Sequence, residues 1–267
     1  MKNVIVIGGG PAGISAALYA KRGGAETTVF TMGKGPLAGV KIDNYYGFPG
    51  GINGGELIDR GLEQARALGI EIVEEEVVDL DFTDSLNVVT TENSYSAGAV
   101  IMAMGSPRKV PKVKNISDFE GRGVSYCAVC DGFFFKGKDV AVLGSGEYAS
   151  HEAGILEPIA ASVRMIGEDE ADAVEGGDTL EKVILKDGTE VPAAGLFVAM
   201  GSAGSADLAR KLGAAVDGSR IVVDENMATN VPGLYAAGDC TGGLMQVSKS
   251  VYQGAVAGLA AVKALRK

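Results

Sequence analysis

A chain of 267 residues has room for one large domain or two small ones, and 46% hydrophobic residues against 22% charged can fill sizeable cores. The formal net charge of −10 argues against nucleic acid as a partner, because phosphate binding needs a basic surface. No apolar run is long enough to cross a membrane, and the N-terminus lacks the basic start, apolar core and cleavage site of a secretory leader, so a cytoplasmic location is expected.

Residues 2–7, Lys-Asn-Val-Ile-Val-Ile, predict a strand buried on both faces, as in a parallel sheet. Gly8-Gly9-Gly10-Pro11-Ala12-Gly13 follows at once and fits GxGxxG through Gly8, Gly10 and Gly13. A helix of small residues begins after it. Strand, glycines and helix in that order point to a dinucleotide pyrophosphate at a helix N-terminus. The second strand, Thr27–Phe30, ends at Thr31-Met32 where the ribose-binding acid usually stands, so the motif alone does not separate FAD from NAD. Asp43 to Gly50 reads as a turn-rich loop with aromatics. An amphipathic helix is expected from about Gly54 to Leu68, antiparallel strands over Ile70–Thr91, and a buried strand over Ala99–Gly105. Residues 106–114, with two prolines and several basic side chains, read as an extended linker and a domain boundary.

Two of the 3 cysteines stand in Cys127-Ala128-Val129-Cys130-Asp131. This spacing lets a pair close and reopen a disulfide with little backbone movement. The adjacent Asp131 can give or take the proton that each exchange step requires. Cys240 and the single histidine, His151, lack zinc-site spacing relative to this pair, so no metal is expected. In a chain with βαβ patterns, CxxC reads as redox-active. Cys240 itself reads as a small packing residue.

Asp139–Leu143 predicts another strand, leading into Gly144-Ser145-Gly146-Glu147-Tyr148-Ala149, the GxGxxA form of the fingerprint. The following strand, Ser162–Ile166, ends at Gly167-Glu168-Asp169-Glu170. A hairpin is expected around Asp187-Gly188, between Glu181–Leu185 and Glu190-Val191. Leu196–Gly201 then repeats the strand-to-glycine pattern of Ala99–Gly105, which implies a duplicated fold. Leu234 to Ala237 forms an apolar strand ending at Gly238-Asp239, which places a carboxylate where it can bond cofactor hydroxyls. A last helix, rich in alanine, is expected over about Gln246–Leu265.

The fold class expected is α/β, with two Rossmann-like nucleotide-binding domains. Residues 1–112 and 225–267 form the first, and residues 113–224 form an inserted, shortened unit carrying the CxxC. Taken together, the stretches around Gly8–Gly13, Asp43-Asn44-Tyr45, Gly123–Phe134, Gly144–Ala149, Leu196–Gly201 and Ala228–Asp239 resemble the low-molecular-weight thioredoxin reductases. The resemblance implies FAD on the first unit, with Gly8, Gly10, Pro11, Ala12, Gly13, Asn44, Gly238, Asp239, Gln246 and Val247 at the cofactor. It implies that Cys127 attacks the substrate disulfide, that Cys130 faces the flavin and that Asp131 serves as proton donor and acceptor. It also implies a homodimer.

The sequence departs from that family where NADPH users carry a His-Arg-Arg cluster. Here the matching positions read Ile166-Gly167-Glu168-Asp169, and Glu147 stands at the second helix start. These acids repel a 2′-phosphate. The expected function is therefore reduction of thioredoxin, or a thioredoxin-like protein, through the Cys127–Cys130 dithiol. Electrons are expected from ferredoxin or another non-NADPH donor such as a deazaflavin. Arg108, Lys109, Lys112 and Lys114 form a candidate landing patch for an acidic donor. The alternatives are an NADH- or NADPH-dependent reductase, with Glu168 on a ribose, a dithiol oxidase that passes electrons to oxygen, and a flavin-binding redox sensor without turnover.

Overall fold

The computed structural model describes residues 2–33, 35–105, 111–201 and 204–266. The chain divides into two compact units, Met1–Pro107 with Gly204–Lys267, and Arg108–Ala203.

The first unit is built on a five-stranded parallel sheet in the order Leu234–Ala236, Ala99–Met102, Asn3–Ile7, Glu26–Phe30, Glu71–Val73. Its central strand carries Val4, Ile5, Val6 and Ile7, all buried. A run without polar alternation suits this position, covered on both faces. The chain turns at Gly8–Gly10 into helix Pro11–Arg22 and returns as Glu26–Phe30. Proline at the first helical position has the right φ and lacks only an N–H that would have no helical partner. The C-terminal helix Val247–Leu265 lies on this first helix at backbone distance. A Cβ on Gly254 would come 2.1 Å from Ala12 O, and one on Gly258 would come 2.4 Å from Ala16 O. Ser15 Oγ donates to Val251 O at 2.7 Å across the same seam. The small residues of both helices are what permit this approach.

Helix Gly54–Ala67 buries Ile58, Leu62 and Ala65 on one face, and Asn53 caps it by accepting from Gly55 N at 2.8 Å. The antiparallel reading of residues 70–91 is corrected at its start: Glu71–Val73 pairs in parallel with Glu26–Phe30 as the sheet's edge strand. Glu71, Ile72 and Val73 follow the helix through a tight turn, so they complete a crossover. The antiparallel sheet comes after them, as Val77–Phe82, Leu86–Thr90 and Ser94–Ala97.

The second unit repeats this plan on a smaller scale. A four-stranded parallel sheet runs Val124–Ser125, Gly195–Val198, Asp139–Leu143, Ser162–Ile166. Helix Glu147–Leu156 makes the crossover. A three-stranded antiparallel sheet follows, Ala171–Gly176, Leu180–Leu185 and Glu190–Pro192. In the first unit, a helix and an edge strand stand between the second parallel strand and the antiparallel sheet. In the second, the chain passes from Ile166 to Ala171 directly. Strand Ala171–Gly176 carries a weak sequence signal, because five of its six residues are Ala, Asp, Glu or Gly, types depleted in strands.

The boundaries differ from those expected. Residues 204–224 belong to the first unit. Helix Ser205–Lys211 reaches strand Val77–Phe82 through Lys211 Nζ, 3.2 Å from Asp79 Oδ1, with the Lys211 side chain only 2% exposed. The linker reading of residues 106–114 is corrected at its end. Val113 is buried, and Lys114 bonds through its backbone to Asp172 and Val174, so both are built into the second unit.

Candidate functional site

The first unit holds a cradle at the carboxyl end of strand Asn3–Ile7. Gly8 has φ +117°, a conformation that L side chains avoid, and a Cβ there would come 2.2 Å from Ala103 O. A Cβ on Gly13 would come 1.7 Å from Gly8 O, whereas one on Gly10 would meet nothing within 4 Å. Gly8 and Gly13 thus pack the turn, and Gly10 faces open space. No side chain caps the helix that starts at Pro11, so the partial positive charge of its first N–H groups is available to an anion.

The turn Gly238-Asp239 abuts this cradle. A Cβ on Gly238 would come 2.8 Å from the Ala12 Cβ. Three side chains of the C-terminal helix hold the turn. Lys249 Nζ donates to Gly238 O at 2.9 Å and Gly242 O at 2.6 Å, and lies 3.8 Å from Asp239 Oδ1. Gln253 Oε1 accepts from Gly238 N at 2.9 Å and Thr241 Oγ1 at 3.1 Å. Ser250 Oγ lies 3.5 Å from Asp239 Oδ1. Gln246 precedes the helix and Val247 begins it. Asn44 Nδ2 donates to Gln246 Oε1 at 2.8 Å, although the two stand 202 residues apart. A cavity of about 260 Å³ lies beside the turn, lined by Ser219, Arg220, Asp239, Gly242, Gly243 and Met245. Sequence reasoning missed Lys249, Ser250 and Gln253. Their i, i+1, i+4 spacing places them along one side of a helix, but nothing local says what that side meets.

The second unit carries the dithiol. Cys127 and Cys130 are joined in a disulfide, at the start of a four-residue helical turn Ala128–Asp131. Cys127 is buried at 3% exposure and Cys130 is exposed. Cys130 N donates to Cys127 Sγ at 3.1 Å, so a thiolate there has a backbone donor. Ser125, which sequence reasoning missed, ties the acid to the turn. Its Oγ donates to Asp131 Oδ2 at 2.6 Å and accepts from Cys127 N at 3.2 Å. From below, Glu152 Oε2 accepts from Ala128 N at 2.7 Å, with Glu152 itself 1% exposed. Around the turn, Val129, Phe133 and Phe134 present apolar side chains at 53%, 73% and 71% exposure. These exposed apolar side chains lie next to the disulfide.

The second fingerprint keeps its backbone shape. Gly144 approaches Ala199 so closely that a Cβ would come 2.0 Å from its carbonyl. Two of the acids beyond it, Glu168 and Glu170, are engaged within the unit. Glu168 Oε1 accepts from Gly201 N at 2.8 Å, and Glu170 Oε2 accepts from Gly167 N at 2.7 Å. Glu147 is exposed in the first turn of its helix.

Of the candidate basic patch, Arg108 and Lys109 lie outside the described residues. Lys112 is exposed, and Lys114 Nζ pairs with Asp172 Oδ2 at 3.0 Å. Cys240 is buried and its Sγ bonds Met102 O and Ala237 O; burial pushes its thiol up to about 12. Among the described residues, no group of three or more His, Cys, Asp or Glu is placed to hold a metal, and no helix is long and apolar enough to cross a membrane.

The chain is similar to known proteins over most of its length. The family model for pyridine nucleotide-disulphide oxidoreductases matches residues 2–171 and 163–254. The thioredoxin reductase of Streptomyces coelicolor is 33% identical over 276 residues, covering 90% of this chain and 86% of its own. That of Listeria monocytogenes is 32% identical, covering 98% and 93%. Among solved structures, the atypical thioredoxin reductase TRi from Desulfovibrio vulgaris Hildenborough superposes with a TM-score of 0.91 at 38% identity, over 100% of this chain and 98% of that one. A ferredoxin-flavin thioredoxin reductase from Clostridium acetobutylicum superposes with a TM-score of 0.75 at 33% identity, over 99% and 98%. The chain belongs to the pyridine nucleotide-disulphide oxidoreductases, and within them to the thioredoxin reductase family.

Proposed function

We propose that this protein is an FAD-dependent reductase of thioredoxin or a thioredoxin-like protein, drawing electrons from ferredoxin or another donor that is not NADPH. The observation that carries the reading is the Cys127–Cys130 disulfide, with Asp131 held beside it by Ser125 and exposed Phe133 and Phe134 around it.

The first unit fits FAD. The open face at Gly10 and the uncapped helix start at Pro11 suit a pyrophosphate, with Gly8, Ala12 and Gly13 shaping the turn. Asp239 on its Gly238 turn offers a carboxylate to cofactor hydroxyls, and Asn44, Gln246 and Val247 complete the binding set. Bound there, FAD supplies a carrier that can take up electrons singly and deliver them as a pair.

The protein's own residues then carry out the exchange. Cys127 as thiolate attacks one sulfur of the substrate disulfide; that S–S bond breaks, a mixed disulfide forms, and Asp131 protonates the departing thiolate. Cys130 as thiolate attacks Cys127 Sγ, which frees the second substrate thiol and restores the Cys127–Cys130 disulfide. Reopening that disulfide takes two electrons and two protons. Cys127 is buried with the disulfide closed, so its attack on an external disulfide requires its sulfur to become accessible. Val129, Phe133 and Phe134 give an apolar partner its footing.

Two observations support a donor other than NADPH. Glu168 spends a carboxylate oxygen on Gly201 N at the strand ends where a nucleotide would lie, and Glu147 sets a negative charge at the second helix start. The relative from Clostridium acetobutylicum is a ferredoxin-flavin enzyme by name. Arg108, Lys109, Lys112 and Lys114 remain the candidate landing patch. A homodimer in the cytoplasm is part of the same reading.

The test is anaerobic. The purified yellow protein is mixed separately with NADPH, NADH and photoreduced ferredoxin, and bleaching is followed near the flavin band at about 450 nm before thioredoxin is added. Fast bleaching by ferredoxin, reversed by thioredoxin, is expected. Fast bleaching by NADPH overturns the donor. Cys127→Ser is expected to keep its yellow colour and lose turnover; full activity in that variant overturns the dithiol mechanism.

A further inference from the structure

Helix Glu147–Leu156 follows the second glycine fingerprint, a position that elsewhere serves a nucleotide. In this chain it meets the dithiol turn. Glu152, 1% exposed, reaches up from the helix and its Oε2 accepts the Ala128 N–H at 2.7 Å. Gly132, at the end of the turn, packs so closely on Leu156 that a Cβ would come 3.1 Å from its Cδ2. The N–H of Cys130, at the start of the same turn, is directed at Cys127 Sγ at 3.1 Å. One turn thus offers a backbone donor to the sulfur while a buried carboxylate takes its neighbour.

We infer that Glu152 is a positioning residue for the dithiol: it fixes the turn and holds back ionisation of Cys127, and the helix after the second fingerprint is kept for this task. A negative charge buried next to the turn disfavours a second negative charge on sulfur, and the low local dielectric gives the interaction range. The titratable groups on the turn and on the helix packed against it are Asp131, Glu147, Tyr148, His151 and Glu152. Of these, Asp131 is bonded to Ser125 and Glu152 to Ala128, and none of Tyr148, His151 and Glu152 is without a partner. Holding Cys127 as a thiol keeps the reduced protein from reacting indiscriminately until a partner docks, because the thiolate is the nucleophile. The inference rests on Cys127 being the attacking thiol.

The experiment measures the alkylation rate of Cys127 by iodoacetamide in the FAD-loaded Cys130→Ser protein, from about pH 6 to about pH 10, with the Cys127 peptide read by mass spectrometry. Glu152→Gln keeps an oxygen for the Ala128 N–H and removes the charge. The midpoint is expected to fall by about one pH unit, equivalent to about tenfold more thiolate at a given pH below it. An unchanged or raised midpoint overturns the inference. Glu147→Gln, on the same helix but not bonded to the turn, is expected to move the midpoint far less; an equal shift overturns the assignment to Glu152. A measurement without any change at 152 guards against a variant that does not fold. With Glu152 in place the midpoint is expected to lie above that of the same cysteine in the urea-unfolded Cys130→Ser protein, and a folded value at or below the unfolded one overturns the inference. None of these outcomes depends on thioredoxin turnover, so loss of the proposed mechanism through an active Cys127→Ser protein remains a separate result.

Discussion

Glu168 accepts a hydrogen bond from the backbone N–H of Gly201 at 2.8 Å, which ties the chain beyond strand Ser162–Ile166 to the chain beyond strand Gly195–Val198. In open α/β sheets the ligand lies outside the carboxyl ends of the strands. Here that crevice is laced by an acidic side chain. NADPH is therefore expected to reduce the flavin slowly. Glu168→Ala frees the Gly201 N–H and removes one repulsive charge, so it should tighten NADPH binding by about tenfold, or ~1.4 kcal/mol. Anaerobic titration of the two proteins with NADPH checks this. Equal affinity would mean that Glu168 takes no part in excluding the nucleotide.

Ser125 holds Asp131 with a 2.6 Å hydrogen bond. A positioned general acid contributes about 10²–10⁴-fold, so Asp131→Asn should lower thioredoxin reduction by at least about 100-fold. Ser125→Ala leaves the acid but not its orientation and should cost about tenfold, with Ser125→Thr restoring most of it. Steady-state kcat with reduced donor and thioredoxin gives the comparison. Wild-type rates in Ser125→Ala would show that Asp131 needs no support.

Burial pushes the Cys240 thiol up to about 12, from an ordinary value of 9.0. The folded protein holds this proton where the unfolded chain gives it up. The stability that Cys240 contributes is thus complete below about pH 9 and is lost as pH rises toward 12, at about 1.4 kcal/mol per pH unit. Urea unfolding at a series of alkaline pH values should show this slope in the wild type. Its absence from the difference between wild type and Cys240→Ala would sink the prediction. The same raised value makes Cys240 inert to alkylation at neutral pH.

Lys211 and Asp79 pair at 3.2 Å with side chains only 2% and 16% exposed. Removing one partner leaves a poorly hydrated charge behind. Lys211→Met should destabilise the protein by about 3 kcal/mol, toward the low end for buried pairs because Asp79 keeps some contact with water. Lys211→Met combined with Asp79→Leu should recover most of that loss. Denaturant midpoints of the three proteins decide it, and additive losses would argue against coupling.

The fold was legible wherever its signal is local. Val4–Ile7 before Gly8–Gly13, and Val140–Leu143 before Gly144–Ala149, each announce a parallel strand feeding a helix. Their repetition anticipated two similar units. Reading failed where the pattern was short or ambiguous. Glu71–Val73 is only three residues, and its partner Glu26–Phe30 is known only once the helix between them has packed. Ala171–Gly176 carries acids among its buried residues. Helix Ser205–Lys211 went to the wrong unit because its anchor, Asp79, lies far back in the chain.

The same division runs through the candidate site. By itself the sequence determined the dithiol, the acid beside it, two glycine fingerprints and the acids that depart from a phosphate-binding cluster, because each is a run of neighbouring residues with its own chemistry. Only the tertiary structure decided that Asn44 meets Gln246, that Ser125 holds Asp131, that Glu168 is spent on Gly201, and that Glu152 sits beneath the Cys127 turn. A hydrogen bond has a range of about 3 Å and no periodicity along the chain. Which polar groups come within that range follows from how sheets and helices pack to bury their apolar faces.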